Sequence, residues 1–134
     1  MSETKYILTL TEDQELVVEK ACEFYARVLN GQFDEIAFET MTRHISENDF
    51  CNLRDQMEQH LLRARECAFP ELGRYAGHHH GVGFDETSDR AWNIYQVLRH
   101  TRSWQNEPKG GYSVDFDPPI DVSGVGLPEC KTKE

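Results

Sequence analysis

Between Thr11 and Gly31 the chain repeats apolar residues at helical spacing: Val17/Val18, Ala21/Cys22, Phe24/Tyr25 and Val28/Leu29. A strand would alternate its side chains; this period puts one apolar stripe along about four turns of helix. Thr11-Glu12-Asp13-Gln14 has the form of a capping box, in which the Thr hydroxyl and the Gln side chain satisfy donors that the first turn leaves orphaned. Asn30-Gly31 supplies the left-handed stop. A helix with such a stripe must be covered by other elements of the chain, and that requirement frames everything downstream.

The remaining segments predict three more helices. Phe33, Ile36, Ala37 and Met41 give a short one ending near His44. Ser46 or Asn48 can cap a third, with a stripe of Phe50, Leu53, Met57, Leu61, Ala64 and Cys67, closed by Phe69-Pro70. After a Gly- and His-containing loop over 71–86, a fourth runs from about Thr87 or Ser88 to Trp104, with Ala91, Ile94/Tyr95 and Leu98 inward. Pro108 and Gly110-Gly111 break it. Two segments alternate instead: Tyr6, Leu8 and Leu10 on one side near the start, and Tyr112, Val114 and Phe116 before Pro118-Pro119. These predict two short strands paired antiparallel, because neither is stable alone. The expected fold is mainly α: a single domain over 1–120 of about four helices, with a two-stranded β ribbon from the terminal segments. A loosely ordered tail follows over 121–134.

Composition narrows the class. The 134 residues suffice for one domain, 38% are apolar, and the mean hydropathy is −0.67. Fourteen Lys+Arg against 24 Asp+Glu leave a net charge of −10, which argues against broad nucleic-acid binding, since neutralising phosphates needs a positive field. No apolar run approaches the ~20 residues that cross a bilayer. The start, Met-Ser-Glu-Thr-Lys, lacks a signal peptide's basic and apolar regions. A soluble intracellular protein is expected, with no membrane contact and no direct nucleic-acid contact. Cys22, Cys51, Cys67 and Cys130 have no CxxC spacing and are expected to be free, mostly buried thiols.

The residues that carry chemistry are arginines, aromatics and histidines. All nine arginines lie between Arg27 and Arg102, while the five lysines sit at positions 5, 20, 109, 131 and 133. Arg27 follows Phe24 and Tyr25, Arg99 lies one helical turn beyond Tyr95, and Arg102 lies two residues before Trp104. Arginine with aromatics suits a nucleotide pocket, with charge for phosphates and a ring for the base. Ordinary Arg–Glu pairing on solvated faces, such as Arg54 with Glu58, is the competing account. His78-His79-His80 diverge too much to share one tetrahedral metal, so no metal is expected; they either cap backbone groups or contact a ligand. Gly77, Gly81 and Gly83 suit a phosphate cradle or simple turns, without the Gly-Lys-Ser/Thr of a nucleotide-binding loop. The candidate ligand-binding set is therefore Arg27, Gln32, His78, His79, His80, Tyr95, Arg99 and Trp104. No GxSxG, motif-placed Cys–His or paired acid/base carboxylates stand out, so neither an enzyme nor a cofactor is expected, with a hydrolase as the open alternative.

Longer stretches carry a resemblance. Leu10 to Gln14 (LTEDQ), Ala21 to Ile36 (ACEFYARVLNGQFDEI), the His78–His80 loop, Tyr95 to His100 (YQVLRH) and Gly110 to Phe116 (GGYSVDF) resemble a family of small accessory proteins of tailed bacteriophages. The resemblance spans nearly the whole chain. It implies a phage gene acting in the cytoplasm of an infected bacterial host. For such a protein the residue inventory suggests an antagonist of host defence that binds and sequesters a nucleotide-derived immune signal, of the cyclic nucleotide or cyclic ADP-ribose type, as a homo-oligomer. The alternative is an acidic inhibitor that binds a host or defence protein, such as a nuclease, directly.

Overall fold

Thr11 starts the first helix, α1 (Glu12–Leu29): its Oγ1 accepts from the Gln14 amide at 3.3 Å, and Gln14 Oε1 accepts from the Thr11 amide at 2.9 Å. Glu12, Asp13 and Glu15 in the first turn and Arg27 in the last complement the helix dipole. The helix stops at Gly31, whose φ of +87° is a left-handed conformation that side chains rarely adopt. The same turn is a packing point, because a Cβ on Gly31 would fall 2.7 Å from Leu72 Cδ1.

Three helices follow: α2 (Asp34–His44), α3 (Glu47–Ala68) and α4 (Glu86–Asn106), the last capped by Asp85, whose Oδ1 accepts from the Ser88 amide at 3.0 Å. The computed structural model describes residues 3–74 and 76–133, with the backbone alone at position 44. All four helices of the sequence analysis are present, and α4 extends two residues beyond Trp104. No helix among the described residues is long and apolar enough to cross a membrane.

The β ribbon is absent: no strand occurs among the described residues. The segment around Tyr6–Leu10 has no ladder partner, and Tyr6, Ile7 and Leu8 face solvent. Its expected mate turns instead into a one-turn 3₁₀ helix, η1 (Val114–Phe116). Ser113 decides this locally, since its Oγ accepts from the Asp115 amide at 3.3 Å and its carbonyl from the Phe116 amide at 3.2 Å. Phe116 then packs edge-on against Trp104, with ring centroids 5.4 Å apart, so the aromatic that alternation assigned to a strand face is anchored to α4.

α1 and α4 form the main helix pair, and α2 joins α1 to α3. The apolar core consists of small or slender residues: Ala26, Ala37, Met41, Ala91 and Val97. Polar side chains fill the rest, with Asn30, Ser88 and Asn93 almost completely buried. Each is matched, as burial demands. Ser88 Oγ donates to the Ala26 carbonyl at 2.9 Å, tying α4 to α1. Asn93 Nδ2 donates to Asp121 Oδ1 and the Gly126 carbonyl, both at 2.9 Å, while its Oδ1 accepts from the Val122 amide at 3.0 Å. One α4 side chain thus holds residues 121–126 around a second 3₁₀ turn, η2 (Val122–Gly124). The four cysteines are free, but the expected burial fails: Cys51 and Cys67 are exposed, and Cys22 and Cys130 are half-buried. Both exposed thiols lie on α3, which among the described residues gains cover from no helix except α2.

Candidate functional site

The face of α4 toward α1 carries Ser88, Trp92, Tyr95, Arg99 and Arg102, spaced by three and four residues so that they form one row. Facing them, α1 presents Glu15, Glu19 and Glu23, then Arg27, with Asn30 just past its end. The site is the seam between these rows.

Trp92 is its centre. The His80 ring stacks on it with centroids 4.2 Å apart, and the Arg27 guanidinium lies 5.3 Å from its ring centroid. Tyr95 tilts against Trp92 at 4.9 Å, and the Arg99 guanidinium lies 4.9 Å from the Tyr95 ring centroid. His80, Trp92, Arg27, Tyr95 and Arg99 therefore make one continuous run of rings and guanidinium planes. Asn30 fixes one end: its Nδ2 is 3.0 Å from His80 Nδ1, and its carbonyl accepts the His78 amide at 2.9 Å. Ser88 Oγ also lies 3.3 Å from His80 Nδ1. Burial holds the His80 pKa below its ordinary value, with Arg27 adding to the shift and Asp89 opposing it, so a neutral ring is favoured.

The arginines of this run have internal partners. Arg27 Nη1 donates to Gln32 Oε1 at 3.0 Å, and its Nη2 meets Glu23 at a longer 3.5 Å. Arg99 Nη1 donates to the Tyr95 hydroxyl at 3.1 Å, and its Nε lies 3.2 Å from Asp115 Oδ1, off the hydrogen-bond direction. Arg99 thus keeps donor capacity that the fold does not use. Burial raises the Tyr95 pKa, so its hydroxyl stays protonated.

Beside Tyr95 a cleft of about 290 Å³ opens, lined also by Leu16, Glu19, Lys20 and Glu23. Lys20 pairs with Glu23 at 2.8 Å and Glu39 at 2.7 Å; burial opposes its charge, but the two carboxylates outweigh it and raise its pKa. Burial likewise opposes ionisation of Glu23, and Lys20 with Tyr95 overcomes it, so the Glu23 pKa is lowered. Next along the seam, Arg102 holds Glu19 bidentately. Glu15 is left over: neither of its buried oxygens has a hydrogen-bond partner, and burial together with neighbouring Glu19 raises its pKa to about 7.

Of the eight residues chosen from the sequence, Arg27, Gln32, His80, Tyr95 and Arg99 come together here. The other three do not. His78 belongs to a neighbouring aromatic cluster, stacked on Phe84 at 3.6 Å with Nε2 2.8 Å from Glu71 Oε1. His79 is exposed, and Trp104 lies farther along α4, its Nε1 donating to the Phe116 carbonyl at 3.1 Å. Among the described residues no group of three or more His, Cys, Asp or Glu is arranged to hold a metal. Sequence reasoning missed Trp92, Asn30 and Ser88. The signal for Trp92 is its helical register with Tyr95 and Arg99; Asn30 was assigned only to the helix stop.

Compared with protein-family models, curated proteins and solved structures, the chain matches none.

Proposed function

We propose that the chain is a phage-encoded antagonist of host defence, acting in the cytoplasm of an infected bacterium, that binds a nucleotide-derived signal and holds it intact. The observation that carries the reading is the position of Tyr95, where the cleft, the Arg99 guanidinium and the Trp92–Arg27–His80 stack meet. A base would lie against Tyr95. Arg99, through its guanidinium beside the Tyr95 ring, and Arg27, through its loosely held Nη2, would bind phosphate oxygens, and Glu23 would accept from ribose hydroxyls. The cleft volume sits near the lower end of ordinary ligand sites, suiting one nucleoside unit rather than a long oligomer.

A second reading has its own support. Glu19, Glu23 and Asp115 already pair with Arg102, Arg27 and Arg99, so the three cations of the seam are matched by carboxylates, while the rest of the chain keeps the −10 balance. That favours an acidic inhibitor of a host or defence protein with a basic face.

A thermal-shift panel of cyclic di- and trinucleotides and cyclic ADP-ribose isomers separates the two. A ligand at 100 times its Kd adds about 2.7 kcal/mol, raising the midpoint by roughly 5–15 °C for a domain of this size. Binding that Arg99→Ala and Tyr95→Ala abolish, with intact ligand recovered on denaturation, supports sequestration. A cleaved ligand makes the chain an enzyme, and a flat panel favours the protein inhibitor.

A further inference from the structure

Glu15 sits in the α1–α4 seam without the partners that its charge would need. Both carboxyl oxygens are shut off from water, and no protein donor reaches them. A carboxylate so placed stays ionised only if a donor moves to it. The charged groups that act on it come from three elements. Glu12 and Glu19 of its own helix oppose its charge, and Arg102 of α4 favours it. Arg102 is drawn in turn by Glu19 and by Asp115 of η1, while Arg99 of α4 acts on Glu19. Glu39 of α2 belongs farther along α1, where it pairs with Lys20.

Arg102 has one Nε–H and two carboxylates within its range. The Nε lies 2.8 Å from Glu19 Oε2 and 3.7 Å from Glu15 Oε2. A single hydrogen serves one acceptor well, so the two carboxylates compete for it. We propose that Glu15 is a proton-operated latch on the α1–α4 seam. Protonated, it donates to Glu19 and leaves Arg102 wholly to Glu19; ionised, it draws the Arg102 Nε–H away and loosens Glu19. The proton goes to bulk water. Burial and Glu19 keep it in place up to about pH 7, so the latch is closed in mild acid and opens in mild alkali. Glu19 is also a wall of the cleft beside Tyr95. Opening therefore leaves that wall held by Arg102 Nη2 alone and sets a second negative charge next to it. The latch is a property of the seam and does not depend on the ligand proposed above.

The test is an NMR titration of the purified full chain, without ligand, between about pH 5 and 9, following the Glu15 and Glu19 carboxyl carbons and the Arg102 Nε. Glu15 is expected to titrate near 7. The Glu19 and Arg102 resonances should shift with that same midpoint, although Glu19 stays ionised and Arg102 stays charged throughout. In Glu15→Gln, which keeps the neutral shape, the Arg102 Nε resonance should stay flat. A Glu15 that titrates at an ordinary carboxylate value overturns the proposal. So does one that titrates near 7 while Glu19 and Arg102 do not move, as when the ionised side chain merely turns out into water. An Arg102 shift that persists in Glu15→Gln, as titration of a neighbouring imidazole would give, overturns it as well. If Glu15→Gln does not fold, the wild-type midpoints decide: one shared by all three groups upholds the latch, and unlinked ones sink it.

Discussion

Arg102 grips Glu19 with two hydrogen bonds, Nε to Oε2 at 2.8 Å and Nη2 to Oε1 at 2.9 Å, across the seam between α4 and α1. The same Nε lies 3.7 Å from Glu15. One guanidinium is thus committed to Glu19, and its weaker pull on Glu15 does not offset the burial that keeps Glu15 from ionising. Burial opposes ionisation of Glu19, the Arg102 hydrogen bonds outweigh it, and the Glu19 pKa falls below the ordinary range. A core built from alanines and polar hooks has little apolar surface to spare, so this pair matters more here than in a leucine-rich bundle.

Arg102→Met should therefore destabilise the fold by about 2–3 kcal/mol, less than for a fully buried pair because the Arg102 side chain is 28% exposed. Urea unfolding at pH 7 measures it. A loss under about 0.5 kcal/mol, the size of an ordinary surface pair, would show that the seam does not depend on this contact.

Glu15 gives a pH dependence of defined sign. Its folded pKa of about 7 exceeds the unfolded value near 4.5, so the native state holds a proton that the unfolded chain has released. This contribution is complete below pH 4.5 and is lost as pH rises toward and through 7. Glu15→Gln, which keeps the neutral shape, should gain about 1–2 kcal/mol over the wild type at pH 8, with the advantage shrinking toward pH 4.5. Melting curves across that range test it; a difference that does not change with pH would mean that Glu15 is not the titrating group.

His80 acts in the opposite direction. Burial lowers its pKa, so the neutral ring stabilises the fold above the unfolded value of 6.5 and that contribution is lost as pH falls through the folded pKa. Asn30→Ala removes the partner that holds this ring and should cost about 1–3 kcal/mol. NMR titration of the variant should find the His80 pKa closer to 6.5, since the loosened ring gains water. An unchanged pKa would mean that Trp92 alone fixes the imidazole.

Arg65 organises the loop before the His run. Its Nη1 donates to the Ala76 carbonyl at 2.8 Å, and its Nη2 to the carbonyls of Gly73 and Arg74 at 2.6 and 2.7 Å. A lysine cannot span three acceptors with the same fork, so Arg65→Lys should lose about 1–2 kcal/mol and speed proteolysis between residues 73 and 76. Cleavage at the wild-type rate would argue that the loop is held by Phe69 and Leu72 packing instead.

The helices were legible because their signals are local. Thr11 and Gln14 form the capping box that their spacing announced, and Gly31 turns left-handed where the stop was expected. The strands were not, because alternation at Tyr112, Val114 and Phe116 is equally compatible with a short turn once Ser113 captures the Asp115 amide. Part of the site was legible by residue type: arginines near aromatics led to Arg27, Tyr95 and Arg99. Trp104 carries the same signal, yet Gly110 and Phe116 pack against it, away from the Trp92 stack.

By itself, then, the sequence determined four amphipathic helices, their caps and stops, and the charge balance, since each depends on residues within a few positions of one another. Only the tertiary structure decided which rows face each other. Asn30 is brought to His80 across fifty residues, Arg102 to Glu19 across eighty-three, and Ser88 to the Ala26 carbonyl across sixty-two. A hydrogen bond across that distance leaves no period in the chain, because its geometry is set by the packing of helices rather than by the spacing of residues.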